Sequence, residues 1–369
     1  VIFLAELNGL QVWGADIGNA YLEAKTKVKV YIIGGPEFGS ELEGCTLLID
    51  RALYGLKSSG ASWHDKLFDI LREMGWEVSK ADNDVWMRAN GECYEYIAVY
   101  VDDLAVAMKD PKAFMDQLCN DYGFKLKGVG PLEHHLGTTY GRDPDGTLYG
   151  SAHRYIEKMV DSYTTTLFPG EKLNTKLKSA LPKNDHPELD DSPLLDEVGT
   201  AKYLSMIGAL HWVISLGRFD VQAATVSLAK FRVAPRQGHL ERAKGVYGYL
   251  AGSKDGAIRF RTGEPDLSEL PTQEYDWMRT VYGHVEELKA KDAPPPLGKR
   301  VILLTYVDAN LYHDLITGRA LTGILHLLNG TPIDWFSKRQ ATVETATYGS
   351  EFVAARIATD QMIDLRITL

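Results

Sequence analysis

Two adjacent aspartates, Asp102 and Asp103, sit at the centre of YIAVYVDDLAVAM (residues 96–108), between two apolar runs. The flanks are short and rich in Val, Ala, Leu and Tyr, which predicts two strands joined by a tight turn. Asp is a good turn residue, so a hairpin with a polar tip is one reading. Three features weigh against it. The turn holds no Gly, adjacent carboxylates repel unless a cation is shared, and apolar runs on both sides keep the tip out of bulk water. A divalent ion resolves all three, because Mg²⁺ takes hard oxygen ligands and is often held by one or two carboxylates plus substrate phosphates. Such a site needs another carboxylate. Asp16, in VWGADIGNAYLEA, follows a short apolar stretch far enough upstream for two strands to meet in one sheet. Three carboxylates on two ions about 3.5–4 Å apart suit in-line phosphoryl transfer.

The elements that would position these residues are legible from periodicity. ASWHDKLFDILREMGW places Trp63, Leu67, Ile70, Leu71 and Met74 at helical spacing, with Gly75 as the stop. KDPKAFMDQLCNDYG opens with Asp110 as N-cap and Pro111 at the first helical position, and its stripe is Phe114, Met115, Leu118, Cys119 and Tyr122. Residues 143–151 read as a turn entering a strand, and HRYIEKMVDSY as a helix. Residues 171–199 mix Pro, Asp and Lys without period and predict an exposed connection. Residues 201–252 give three helices, marked by Leu204, Ile207, Leu210 and Ile214, then Val221, Ala224 and Leu228, then Leu240, Ala243, Val246, Tyr247 and Leu250. An acidic, Pro-bearing stretch, 262–300, reads as a linker. A strand, VILLTYVDA, follows it.

A chain of 369 residues can form two or three domains. At 45% hydrophobic and 24% charged, its composition is that of a globular protein. No apolar run approaches the roughly 20 residues of a membrane span. The first residues lack an initiator Met and a leader pattern, and read as the middle of a longer chain. Three scattered cysteines make neither a disulfide framework nor a zinc site, which points to a reducing, intracellular compartment. The net charge of −10 disfavours nucleic acid on average. Between residues 201 and 261, however, ten Lys and Arg face three acids, a net +7. Such a run is either a solvated face or a local phosphate-binding surface.

Taken in order, several stretches resemble the reverse transcriptases of copia-type retrotransposons. They are ADIGNAYLEA, RALYGLKSSGASW, YVDD, HHLGTTYGRDPDGTLYGSAHRYIEKMV, YLSMIGALHWVISLGRFDVQAATVSLAKF with RAKGVYGYLAGSKDG, and a final block from TYVDANLY to EFVAA. The resemblance covers nearly the whole chain. It departs from the family at NAYLEA (for TAFLNG), at RFD (for RPD) and in a longer linker. It implies an α+β fold: a palm-type polymerase domain, a helical thumb or connection region, and a partial ribonuclease H-like α/β domain. The expected boundaries are 1–150 for partial fingers and palm, 151–261 for the helical region, 262–300 for the linker and 301–369 for the truncated ribonuclease H-like domain.

By the same resemblance, Asp16, Asp102 and Asp103 are catalytic metal ligands for Mg²⁺ (or Mn²⁺). Tyr21 lies against the incoming sugar, and Gly55 and Lys57 lie against nucleotide and template. The implied partners are an RNA or DNA template with primer, deoxynucleoside triphosphates and other parts of a polyprotein, with no membrane. The implied location is a cytoplasmic virus-like particle or the nucleus. The implied function is RNA-directed DNA polymerisation. The alternative is a relic that binds nucleic acid without polymerising, favoured by the lack of Lys or Arg in the fifteen residues before Asp16. A signalling receiver domain is disfavoured, because it places the acid pair before the single Asp.

In the last segment, YGSEFVAARIATDQMIDLRITL predicts a long helix whose stripe is Ala355, Ala358, Met362, Leu365 and Leu369, with Glu351 on the same face. A Glu there is either a first-turn residue favoured by the helix dipole or a ligand. The resemblance makes Asp308 and Glu351 two ligands of a ribonuclease H site that lacks a further Asp on a later strand. The expected result is no ribonuclease H activity, with residues 300–369 leaning on the polymerase region for cover.

Overall fold

The computed structural model describes residues 1–271, 276–281, 283 and 292–369, so the central part of the expected linker lies outside the described residues. Helices and antiparallel strands are mixed throughout, an α+β fold. The chain forms two compact units. One comprises residues 1–135 with 296–299, and the other 136–295 with 300–369.

The first unit is built on a six-stranded sheet. Its strands are β1 (Gln11–Ile17), β4 (Glu77–Val78), β5 (Val85–Asn90), β6 (Cys93–Tyr100), β7 (Asp103–Met108) and β8 (Leu126–Pro131), in the order β4-β5-β6-β7-β1-β8. β2 (Tyr31–Ile33) and β3 (Thr46–Leu48) pair as a separate hairpin, and β9 (His134–His135) is a two-residue strand. Alternation along β1 and β7 sends Ala15, Ile17, Leu104, Val106 and Met108 to one face. There α3 (Ser59–Glu73) and α4 (Pro111–Asn120) cover them with Trp63, Leu67, Leu71, Phe114, Met115 and Leu118.

The capping of α4 is as the sequence predicts, with the Asp110 carboxylate accepting from the Ala113 N–H at 3.0 Å and Pro111 at the first position. Cys119, expected on its stripe, is exposed. On the opposite face α1 (Ile2–Asn8) packs Ala5 against Ala107 and Cys93. The end of that face carrying Asp16 and Asp103 is left open. Residues 296–299 return to this unit, where the Gly298 N–H donates to Glu92 O (2.7 Å) and the Lys299 N–H to Asn8 Oδ1 (3.0 Å).

The second unit packs α5 (His153–Ser162), α6 (Glu197–Ser215), α7 (Gln222–Ala229) and α8 (Gln237–Gly252) around Ile156, Tyr203, Leu210, Val213, Val246 and Tyr247. The bundle is as expected, but α6 turns Tyr203 and Met206 inward and leaves Leu204 exposed. The stretch 171–199 is not a free connection. It is strapped along α8, with Arg242 binding Asp185 and Asp190. A Cβ at Gly248 or Gly252 would lie 2.4 Å from Asn174 O or 2.1 Å from Thr175 O, so only glycine admits the strap. β10 (Thr138–Arg142), β11 (Leu148–Ser151) and β12 (Ala257–Arg259) pair antiparallel.

A further three-stranded sheet, β13 (Leu303–Asp314), β14 (Arg319–Leu328) and β15 (Thr331–Arg339), has α9 (Thr347–Thr368) on one face. On that face the buried His326 joins Thr305 (2.8 Å) to Gln361 (3.1 Å) of α9. Trp335, of the other face, stacks near Phe219 and lies on the helical core. The C-terminal sheet thus takes its cover from α7 and its neighbours. The face of α9 that is buried carries Ser350, Ala354 and Ala358, whereas Ala355 and Leu369 of the expected stripe are exposed. Small residues let the helix lie close to the sheet, and they gave little apolar signal to read.

Candidate nucleotidyl-transfer site

Residues Val101 and Asp102 form the two-residue turn between β6 and β7, with Tyr100 opposite Asp103. Val101 has φ +59° and Asp102 does not share the positive sign, the pattern of a type II′ turn in which Gly is usual at the first position. A β-branched residue there stores strain, about 1–3 kcal/mol. Two contacts hold the turn in place. The buried Trp63 of α3 donates its indole N–H to Val101 O at 2.6 Å, and the Ile17 N–H donates to Asp102 O at 2.8 Å.

β1 lies between β7 and β8, and its Asp16 pairs with Asp103 on one side and Lys127 on the other. Residues directly opposite in antiparallel strands share a face, so Asp103, Asp16 and Lys127 form a row across the sheet. Asp102, in the adjoining turn, stands at the end of the same strand. All three aspartates are half-buried. Burial raises the Asp103 pKa, His135 opposes that shift, and the charges of Asp102 and Asp16 add to it. Burial likewise lowers the His135 pKa against the pull of Asp103.

Tyr21 and the turn before α3 meet one another. Tyr21 lies on the single-turn helix α2 (Ala20–Glu23), directly after β1. Its ring is 4.7 Å from that of Tyr54, which precedes Gly55. Gly55 has φ +94°, open only to glycine without strain. Lys57 is exposed in the following turn. Desolvation raises the Tyr54 pKa, and the charges of Asp102, Tyr21 and Asp16 add to it. Tyr54, Lys127 and His135 were not found from the sequence. Tyr54 stood inside a quoted motif, but Lys127 becomes a neighbour of the site only through strand order, and His135 only through the segment after β8.

The donor set fits a hard divalent ion: carboxylate oxygens, partly buried, with like charges to be offset. Among the described residues, no group of three or more His, Cys, Asp or Glu side chains is gathered closely enough to hold one. The strand register brings the three aspartates to one end of the sheet.

Asp308 is exposed on β13 opposite Gly323, and Glu351 is half-buried near the start of α9, the helix packed on β13. The basic segment 201–261 is largely consumed by ion pairs: Arg218 with Asp220, Lys230 with Asp314, Arg242 with Asp185 and Asp190, Lys244 with Glu171 and Glu241, Lys254 with Glu157, and Arg259 with Asp143. Most of those acids lie outside the segment, which is why its local charge overstated a free cationic surface.

A carboxylate-tipped hairpin beside a third strand aspartate is one feature of a longer pattern. Residues 1–173 match the family described as reverse transcriptase (RNA-dependent DNA polymerase). The chain is 24% identical to the putative transposon Ty5-1 protein of Saccharomyces cerevisiae, over 92% of this chain and 97% of that protein. It is 24% identical to the retrovirus-related Pol polyprotein from transposon TNT 1-94 of Nicotiana tabacum, over 99% of this chain and 25% of the polyprotein. It is 25% identical to the Pol polyprotein from transposon RE1 of Arabidopsis thaliana, over 94% of this chain and 21% of the polyprotein. It therefore spans a fifth to a quarter of those two polyproteins. These likenesses support a copia-type retrotransposon reverse transcriptase. Among the described residues, no helix is long and apolar enough to cross a membrane.

Proposed function

We propose that residues 1–173 are the catalytic part of an RNA-directed DNA polymerase acting by two-metal nucleotidyl transfer. The observation that carries this reading is the register of Asp16 with Asp103, beside a turn that holds Asp102. Asp16, Asp102 and Asp103 would hold the ions, Mg²⁺ or Mn²⁺. When bound, these ions supply activation of the primer hydroxyl and charge stabilisation of the departing pyrophosphate. Tyr21 bounds the sugar of a deoxynucleoside triphosphate, and the Gly55–Lys57 turn borders nucleotide and template. The protein works as one segment of a longer polyprotein. The test is primer extension on an RNA or DNA template with Mg²⁺. Extension abolished by Asp102→Asn, with template binding kept, is the expected result. Full activity in that variant removes the role, and binding without extension by the unaltered protein favours the non-polymerising alternative.

The strand order β13-β14-β15 followed by α9 supports reading residues 301–369 as the opening of a ribonuclease H-like fold. Asp308 and Glu351 remain its proposed ligands, but the reading rests on the strand order. Cleavage of the RNA strand of an RNA–DNA hybrid, lost on Asp308→Asn, would show a working site. No cleavage is the expected result.

A further inference from the structure

We propose that Tyr54 is a positioning residue for sugar selection, its ring bracing Tyr21 so that Tyr21 can reject a ribonucleotide. The inference rests on the nucleotidyl-transfer reading and adds a residue to it.

Tyr21 is half-buried and packs against the edge of the hydrophobic core. Its helix, α2, is one turn long, and the N-cap Asn19 has φ +57° and makes no side-chain cap bond. So short a helix is marginal by itself, and the orientation of its side chains depends on what packs against them. The ring of Tyr54 does so, at 4.7 Å between centroids and an interplanar angle of 39°. Tyr54 comes from a separate element. It sits in the turn before α3, and that turn is tied down where Ser59 Oγ donates to Leu53 O at 2.6 Å. The brace is therefore anchored to α3, the helix whose Trp63 also holds the Asp102 turn.

Tyr54 has no part in the hydrophobic core. It is 60% exposed, a large ring left in water. An aromatic ring costs apolar exposure in that position, and bracing a neighbour at the substrate edge accounts for it. The ring contact carries the brace, so the hydroxyl is dispensable for it.

The test compares deoxynucleotide with ribonucleotide incorporation by the full chain in Tyr54→Ala, Tyr54→Phe, Tyr21→Ala and the double alanine variant. Tyr54→Ala is expected to lower the kcat/KM preference for the deoxynucleotide about tenfold, through a lower KM for the ribonucleotide, the scale of a lost aromatic pair. Tyr54→Phe restores it. The double variant discriminates no worse than Tyr21→Ala, because both act through one ring. Unchanged preference in Tyr54→Ala, equal loss in Tyr54→Phe, or additive losses overturn the proposal. A general structural role would instead lower kcat for both sugars alike.

A second readout does not depend on turnover. In protein labelled with 3-fluorotyrosine, the ¹⁹F signal assigned to Tyr21 by its loss in Tyr21→Phe must move in Tyr54→Ala. An unmoved signal means there is no brace, and the inference fails. A moved signal without any primer extension by the unaltered chain leaves the brace standing and overturns the nucleotidyl-transfer reading, and sugar selection with it.

Discussion

Trp63 holds Val101. The indole N–H of one donates to the carbonyl of the other at 2.6 Å, from the centre of the hydrophobic core to the tip of the hairpin that carries Asp102. A buried helix residue thus fixes a strained turn whose next residue is a proposed metal ligand. Trp63→Phe keeps an aromatic ring near Phe124 but loses the donor. We expect a loss of about 2 kcal/mol, one hydrogen bond plus incomplete filling. We also expect primer extension to fall more than template binding. Denaturant titration and extension assays measure the two, and a variant as stable and active as the parent would show that the bond does nothing.

Val101→Gly separates strain from function. Glycine relieves a left-handed φ at a cost of about 0.5–1 kcal/mol in chain entropy, against about 1–3 kcal/mol of strain. Val101 is 43% exposed, so little burial is lost. The expected outcome is a rise of about 1 kcal/mol in stability with slower extension, because a freer turn aims Asp102 less well. Loss of stability would mean that Val101 is unstrained where it stands.

Asp103→Asn removes one of the three like charges of the half-buried Asp16, Asp102 and Asp103. In the presence of a chelator the variant should be the more stable protein by about 1 kcal/mol, the usual trade between an active site and its fold. Saturating Mn²⁺ should raise the melting temperature of the parent, since an ion that binds only the folded state stabilises it, and should leave the variant nearly unmoved. Equal responses to Mn²⁺ would place the ion elsewhere.

The sequence was legible where apolar periodicity was strong. α3 and α8 present the residues their spacing indicated, α4 does so except at Cys119, and the alternating runs around Asp102 and Asp103 are β6 and β7. It was misleading where packing uses small or polar residues. On α9 the buried face carries Ser350 and Ala354, so the apolar pattern favoured Ala355, which is exposed. The loop 171–199 carried no period, because its order comes from Arg242 and from the glycine face of α8. Asp16 could be joined to the Asp102–Asp103 pair from chemistry alone, as all three are carboxylates in apolar flanks. Lys127 could not, because only the placement of β8 beside β1 brings it opposite Asp16.

Asp314 is expected to make the second unit sensitive to acid. It is 3% exposed, at the end of β13. Burial opposes its ionisation, but the Thr317 N–H (3.0 Å), Arg339 (2.8 Å) and Lys230 (3.5 Å) outweigh that and hold its pKa down at about 2, against an ordinary 3.8. A carboxyl depressed on folding stabilises the folded state above its unfolded pKa, and that contribution disappears as pH falls through the folded pKa. The window is therefore about pH 4 down to pH 2, and the difference corresponds to about 2 kcal/mol. Lys230 belongs to the segment following α7 and Arg339 to β15, so the same carboxylate joins the helical region to the C-terminal sheet. Asp314→Asn should lower stability at pH 7 by at least that amount, because two cations lose their partner. It should also flatten the fall in stability between pH 4 and pH 2. Unfolding curves across that range decide the matter, and an unaltered acid limb in the variant would move the sensitivity to another group.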